Sequence, residues 1–248
     1  MTPAAPAVRW VTGFLDTARE SAEAAETFWS RVTGYRLSAS RGDRDEFATL
    51  LPPSGDPHLR VQRVVQTPPG ALHVDLHTDD VRGLAERAEE LGASASYLDL
   101  GYVVCGSPGG MTFCVVGHPG AVRAEPATWP GGRSMVDQVC LDVPPSRWDA
   151  ECAFWADLTG WTVTDHPRYA EFRRMAVPDE VVLGLLLQRL DDEQPVVTGH
   201  LDLASDDRTA EAARHVALGA RELGRHDSWI ALEDPAGRSY CITGRTPR

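Results

Sequence analysis

The stretch HVDLHTDDVRGLAERAEELGA, His73 to Ala93, decides the fold, because it returns as HLDLASDDRTAEAARHVALGA, His200 to Ala220, at an offset of 127. FWSRVTGYRL (Phe28 to Leu37) returns as FWADLTGWTV (Phe154 to Val163) at an offset of 126. SPGGMTFCVVG (Ser107 to Gly117) returns as DPAGRSYCITG (Asp234 to Gly244) at 127. Three blocks in the same order at a near-constant offset make the chain a tandem duplication, and such a repeat fixes the architecture before any other signal does. Between the copies, HPGAVRAEPATWPGGR (His118 to Arg133) is rich in Pro, Gly and Ala without periodicity and reads as a linker. The expected domains are residues 1–120 and 131–248.

Working outward through the first copy, alternation over Val8 to Asp16 predicts a strand. Ala25, Phe28, Trp29 and Val32 then follow helical spacing, and Gly34 is placed to stop that helix. Short strands are expected near Tyr35–Ser40, Glu46–Leu51 and Leu59–Gln66, separated by Gly, Pro and Asp turns. The order then restarts, with a strand at Leu72–His77 and a helix from about Asp80 to Leu91, which Asp79 or Asp80 can cap and Gly92 can end. Strands near Ser94–Leu98, Tyr102–Cys105 and Met111–Val116 complete the copy. Each copy therefore reads as βαβββ twice.

Composition narrows the function. Of 248 residues, 42% are hydrophobic and 24% charged, the balance of a soluble globular protein. The net charge of −12 argues against nucleic acid or an anionic membrane as partner. All 24 basic residues are arginine, which excludes lysine Schiff-base chemistry and a P-loop lysine. The motifs GxGxxG, GxSxG and HExxH are absent, so dinucleotide-binding, nucleophile-elbow and zincin readings have no support. The first thirty residues show no signal-peptide pattern, and the longest apolar run, Val181 to Leu187, is too short to span a bilayer. Five cysteines without a CxxC pair suit a reducing compartment, and a cytoplasmic location is expected.

A paired βαβββ domain of this length, ending in a DPxG turn and a last strand, resembles the vicinal oxygen chelate superfamily. The resemblance covers nearly the whole chain. The pattern HLDLxxDD … LGA … DPxG … CIxG, read at His200 to Gly244, looks most like its glyoxalase-like and bleomycin-resistance-like branch. The resemblance implies an α+β fold of two tandem domains that pack as an internal pseudo-dimer, so that the chain can stand as a monomer.

In metal-using members of that superfamily, a divalent ion takes ligands from the first, fifth and last strands of a domain. Matching the LD that closes the first strand places these positions on Thr12, His73 and Cys114 in the first copy. In the second they fall on Gln138, His200 and Cys241. The last-strand glutamate is thus cysteine twice, and threonine is a poor ligand, so no metal cofactor is expected. If an ion binds at all, the resemblance puts it at Gln138, His200 and Cys241 of the second domain. Within LHVDLHTDDV, His73 and His77 share a strand face but lie about 13 Å apart, too far to share one ion. Only His73 with Asp75 could, and no third ligand stands nearby in sequence; His77 is expected at the surface. Cys114 and Cys241 have no basic neighbour in sequence to activate the thiol.

The resemblance therefore implies a protein that holds a small organic molecule in its clefts, of the drug- or metabolite-binding type. Aromatic walls for such a ligand would be Trp10, Tyr102 and Phe113 in the first copy and Trp161, Trp229 and Tyr240 in the second. Arg41, Arg44, Arg60 and Arg63 suit either an anionic ligand or surface ion pairs. A metal-dependent lyase, isomerase or thiol transferase acting from the second domain remains the alternative, and a purely structural module is the third reading. Whether the chain is an enzyme stays open.

Overall fold

A computed structural model describes residues 7–67, 71–98, 101–117 and 122–248. The first repeat runs β1 (Trp10–Ala18), α1 (Arg19–Thr33), β2 (Arg36–Leu37), β3 (Phe47–Leu51) and β4 (Leu59–Val64), then β5 (Leu72–Thr78), α2 (Val81–Glu90), β6 (Ser94–Tyr97), β7 (Val103–Gly106) and β8 (Thr112–Gly117). The second begins at β10 (Gly132–Val143) and α3 (Trp148–Thr159), followed by β11 (Val163–Asp165), β12 (Phe172–Met175) and β13 (Gly184–Arg189). It continues through β14 (Thr198–Ser205), α4 (Arg208–Ala217), β15 (Arg221–Arg225), β16 (Trp229–Glu233) and β17 (Ser239–Thr243). Each repeat builds one sheet, in the orders β2-β3-β4-β1-β5-β8-β7-β6 and β11-β12-β13-β10-β14-β17-β16-β15. The two orders are the same, as a duplication requires, and the fold is α+β.

The local signals work as the residues dictate. In α1, Ala22, Ala25, Phe28, Trp29 and Val32 form the buried stripe, and Gly34 closes the helix at φ 72°, a left-handed conformation that glycine adopts at no steric cost. Gly160 ends α3 in the same way at φ 71°. Asp80 caps α2 by accepting from the Gly83 amide at 2.8 Å, and Asp207 caps α4 by accepting from Thr209 and Ala210. Among the described residues no helix is long and apolar enough to cross a membrane.

The segment between the repeats is not featureless. Ala127–Trp129 forms a short strand, β9, antiparallel to the start of β10 with Trp129 opposite Gly132. The cause is Trp129, whose ring lies under the Arg214 guanidinium at 3.8 Å while its indole N–H donates to Ser134 Oγ at 2.9 Å. Residues 118–121 of the expected linker lie outside the described residues.

The chain resolves into two compact units, each combining half of one repeat with half of the other. One comprises Met1–Gly13, His73–Ala121 and Cys140–Gly199. Its interior sets Phe113 against Phe154 at 5.9 Å and Trp155 at 5.3 Å, while buried Glu151 accepts from the Trp155 indole and the Gly109 amide. The other comprises Phe14–Leu72, Val122–Val139 and His200–Arg248. There Tyr240 packs 5.2 Å from Trp29, and the Trp29 indole donates to Asp234 at 2.8 Å. Arg238, 1% exposed, donates to the Asp16 and Ala71 carbonyls and to Thr17 Oγ1. In both units a helix of one repeat seats its Phe-Trp pair on the last strand of the other. That seating leaves Trp29 and Trp155 wholly buried.

Candidate functional site

Two strand pairs set the candidate sites, and both are parallel. In the first repeat β5 pairs with β8 so that Asp75 stands opposite Cys114. In the second, β14 pairs with β17 so that Asp202 stands opposite Cys241. Side chains alternate along a strand, so His73 shares the face of Asp75, and His200 that of Asp202. Each repeat therefore gathers an imidazole, a carboxylate and a thiol on one sheet face.

In the first repeat the donor atoms of His73, Asp75 and Cys114 all lie within 4.8 Å of one another. The three residues are 8%, 4% and 8% exposed, so the cluster is closed. The third donor that LHVDLHTDDV lacked is thus Cys114, supplied by register and not by sequence neighbourhood. His77 departs from its expected place at the surface, being 2% exposed. Its Nδ1 faces the Gly117 carbonyl at 3.1 Å, an acceptor, so that nitrogen carries the proton. Nε2 is left to accept from the Thr12 hydroxyl at 2.8 Å. Thr12 is therefore committed to His77.

The second repeat arranges the same residue types differently. Cys241 Sγ lies 3.7 Å from His200 Nε2, which is 3.5 Å from Asp202 Oδ1. The basic neighbour that the sequence does not show beside Cys241 is this imidazole. The Gln138 amide donates to Asp202 Oδ2 at 2.7 Å. The Gln138 carbonyl oxygen accepts from Arg245, whose guanidinium also donates to Asp137 at 2.6 Å and Thr243 Oγ1 at 3.1 Å. Burial pushes the Asp137 carboxyl up to about 6, with the Arg245 charge opposing and the Asp202 charge reinforcing that shift. Cys241 and His200 are half-buried, so this site is more open than its counterpart. Cys140, two positions beyond Gln138, donates to Gln188 at 3.6 Å, and its thiol, the His200 imidazole and the Asp202 carboxylate lie within 4.8 Å of one another.

The aromatic candidates divide by strand parity. Trp229 pairs with Thr243 across β16 and β17, so it stands on the Cys241 face, half-buried and stacked on His226 at 4.6 Å. Tyr240 points to the opposite face, wholly buried, with its hydroxyl 3.0 Å from His215 Nδ1. Trp10 is wholly buried as well, Phe113 lies in the interior and Trp161 is 6% exposed. Tyr102 is half-buried. Trp229 and Tyr102 thus keep the accessible aromatic surface among the six.

Sequence reasoning passed over Asp202, Asp137 and Arg245. The first was legible in the HLD triplet at 200–202, which answers HVD at 73–75, whereas the other two sit in no motif.

A model of the glyoxalase-like domain matches residues 14–116 and again residues 138–243. None of the curated proteins matches the sequence. Among solved structures, the chain is similar to homoprotocatechuate 2,3-dioxygenase from Brevibacterium fuscum in complex with 3,4-dihydroxyphenylacetate. That likeness has a TM-score of 0.67 at 15% identity, covering 99% of this chain and 83% of that one. It is similar also to the Mn(II)-bound glyoxalase from Novosphingobium aromaticivorans, with a TM-score of 0.61, 17% identity and coverage of 96% and 82%. The 2,3-dioxygenase LapB from Pseudomonas sp. KL28 matches with a TM-score of 0.63 at 12% identity, over 98% and 93%. At these identities the likeness shows the fold.

Proposed function

Because the chain belongs to the glyoxalase-like domain family, we propose that it binds a small organic molecule on the open face of the second repeat's sheet, without a resident metal ion at Gln138, His200 and Cys241. The observation that carries this reading is the Arg245 guanidinium held against Gln138. A divalent ion at that set would need the Gln138 carbonyl oxygen, which already accepts from a permanent cation, and would sit beside that cation's charge. The Gln138, His200 and Cys241 set therefore does not fit such an ion. The face offers instead an aromatic wall at Trp229, a thiol and imidazole at Cys241 and His200, and a guanidinium, the mixture of apolar surface and few polar groups that small-molecule sites use.

The test is calorimetric titration of the full chain with catechol and with 3,4-dihydroxyphenylacetate. Apolar contact over a ligand of this kind supports micromolar affinity, about −8 kcal/mol. Trp229→Ala is expected to weaken binding by about 1–3 kcal/mol. Unchanged affinity in Trp229→Ala and in Tyr102→Ala would place the ligand elsewhere.

One observation favours a second reading for the first repeat. The His73, Asp75 and Cys114 donors lie within 4.8 Å of one another and suit a zinc-like ion. Bound there, such an ion would supply a Lewis acid. Stoichiometric zinc lost in His73→Ala would carry that reading, and its retention would end it.

A further inference from the structure

We propose that β6 is a docking edge for a second copy of this chain, the two β6 strands pairing antiparallel about a dyad so that two first-repeat sheets become one. β6, Ser94 to Tyr97, stands last in its sheet order, so among the described residues no strand pairs with its outer side. Its register against β7 is regular over the whole strand, from Ser94 opposite Gly106 to Tyr97 opposite Val103, and no bulge twists it away. Ser94, Ser96 and Tyr97 are exposed, Ala95 is half-buried, and none of them carries charge. A straight, neutral edge is a ready template for another strand, which is why protein edges are ordinarily guarded by charge, proline or a bulge.

The same place in the second repeat is guarded. β15, Arg221 to Arg225, ends its sheet as β6 does, but its register shifts between Glu222 and Gly224. It is also charged, with Arg221 paired to Glu233 at 2.9 Å and Arg225 to Glu222 at 2.7 Å. At the opposite ends of the two sheets, β2 is two residues long and carries Arg36, and β11 is three long and carries Asp165. Of the strands that end the two sheet orders, β6 alone lacks every such device.

What fits β6 follows from its composition, because a neutral strand is matched by a neutral strand, and the other sheet ends of this chain are charged. An antiparallel β6 from a second copy sets Tyr97 opposite its Ser94 and Ala95 opposite its Ser96, so no like charges meet. The contact uses the same residues on both sides and closes at two copies. Tyr97 and Leu98, 51% and 45% exposed, lie at the end of the pairing and are covered by it. The Tyr97 hydroxyl already donates to Glu89 of α2 at 2.6 Å, so the ring is oriented beforehand and loses little freedom. A net charge of −12 makes two chains repel, and a neutral edge is where they meet at least cost. So short a strand pair buries less than the roughly 1,200 Å² of a stable interface, which makes the dimer reversible and dependent on concentration. The contact uses no residue of the Trp229 face, so it stands or falls apart from the function proposed above.

The experiment is sedimentation velocity on the full chain from about 5 to about 500 µM, at low and at raised salt. The mass is expected to rise from 27.0 kDa towards twice that value, and to do so at lower concentration when salt screens the repulsion. Ser96→Lys sets like charges on both sides of the dyad and is expected to weaken association at least about tenfold. Because Ser96 is exposed, the circular dichroism of that variant should match wild type. Leu223→Lys, on the β15 edge, should associate as wild type does, and so should Trp229→Ala. A mass that stays at 27.0 kDa throughout, or association that survives Ser96→Lys, would overturn the proposal. Association lost in Leu223→Lys, or assembly that continues beyond two copies, would overturn it as well by placing the contact on another edge.

Discussion

On β5 and β8 the first repeat closes His73, Asp75 and Cys114 into a buried cluster, whereas in the second the clustered thiol is Cys140 of β10, beside His200 and Asp202, and Cys241 of the last strand stays half-buried. The strand register is the same in both, an aspartate opposite a cysteine. The difference lies in what the neighbouring strand and the chain end supply. Where the first repeat has Val11 and Thr12, wholly buried, the second has Asp137 and Gln138, and Arg245 reaches across to both. One scaffold thus carries a His, Asp and Cys donor set in both repeats, and the second adds a polar chain through Asp137, Gln138 and Arg245. The duplication preserved the frame and released the side chains facing the site.

The turn before the last strand carries the same contrast in stability. In the second repeat it holds Asp234 and Arg238, 4% and 1% exposed, whose charged groups approach at 3.6 Å. The first repeat has Ser107 and Met111 there, with Ser107 Oγ accepting from the Met111 amide at 3.0 Å. Replacing Arg238 by methionine leaves the Asp234 charge buried without its cation and should cost about 3–5 kcal/mol in urea unfolding. Met111→Leu conserves volume in a neutral turn and should cost less than about 1.5 kcal/mol. Similar losses in the two variants would break the comparison.

A smaller effect separates Asp137 from Val11. The folded Asp137 value of about 6 lies above the ordinary carboxylate value of about 3.9, so the group favours the folded state at low pH. That contribution is present below about pH 4 and lost as pH rises through 6. Asp137→Asn removes it. The variant should therefore gain about 2 kcal/mol relative to wild type between pH 4 and pH 7, read from urea midpoints across that range. Parallel curves for the two proteins would show that Asp137 does not titrate as its surroundings require.

Smaller again is the hydroxyl of Thr12. Thr12→Val keeps the shape and leaves His77 Nε2 buried without its donor, for a loss of about 1–2 kcal/mol in the same unfolding assay. No change would mean that the Thr12–His77 bond does not hold that end of β5.

How much of this was legible in the sequence follows from what each signal depends on. Helix periodicity, the Asp80 and Asp207 caps and the Gly34 and Gly160 stops are local, and the repeat multiplied their weight. The pairing of Asp75 with Cys114 is a register between strands nearly forty residues apart, which sequence spacing does not display. His77 was misplaced because alternation gives its face but not the depth of burial, which Thr12 and Gly117 set. Arg245 lies past the last strand in a segment without a motif, yet its guanidinium decides the character of the second site. The strand β9 was hidden because three residues anchored by one tryptophan make no periodic pattern.

The central claim is that the second repeat's face holds its ligand without a resident ion. The most direct test is calorimetric titration of catechol into the full chain before and after exhaustive dialysis against EDTA, with Trp229→Ala in parallel. The account predicts the same affinity before and after dialysis, and binding weakened by about 1–3 kcal/mol in the variant. Binding abolished by EDTA and restored by Mn2+ or Zn2+ would contradict it.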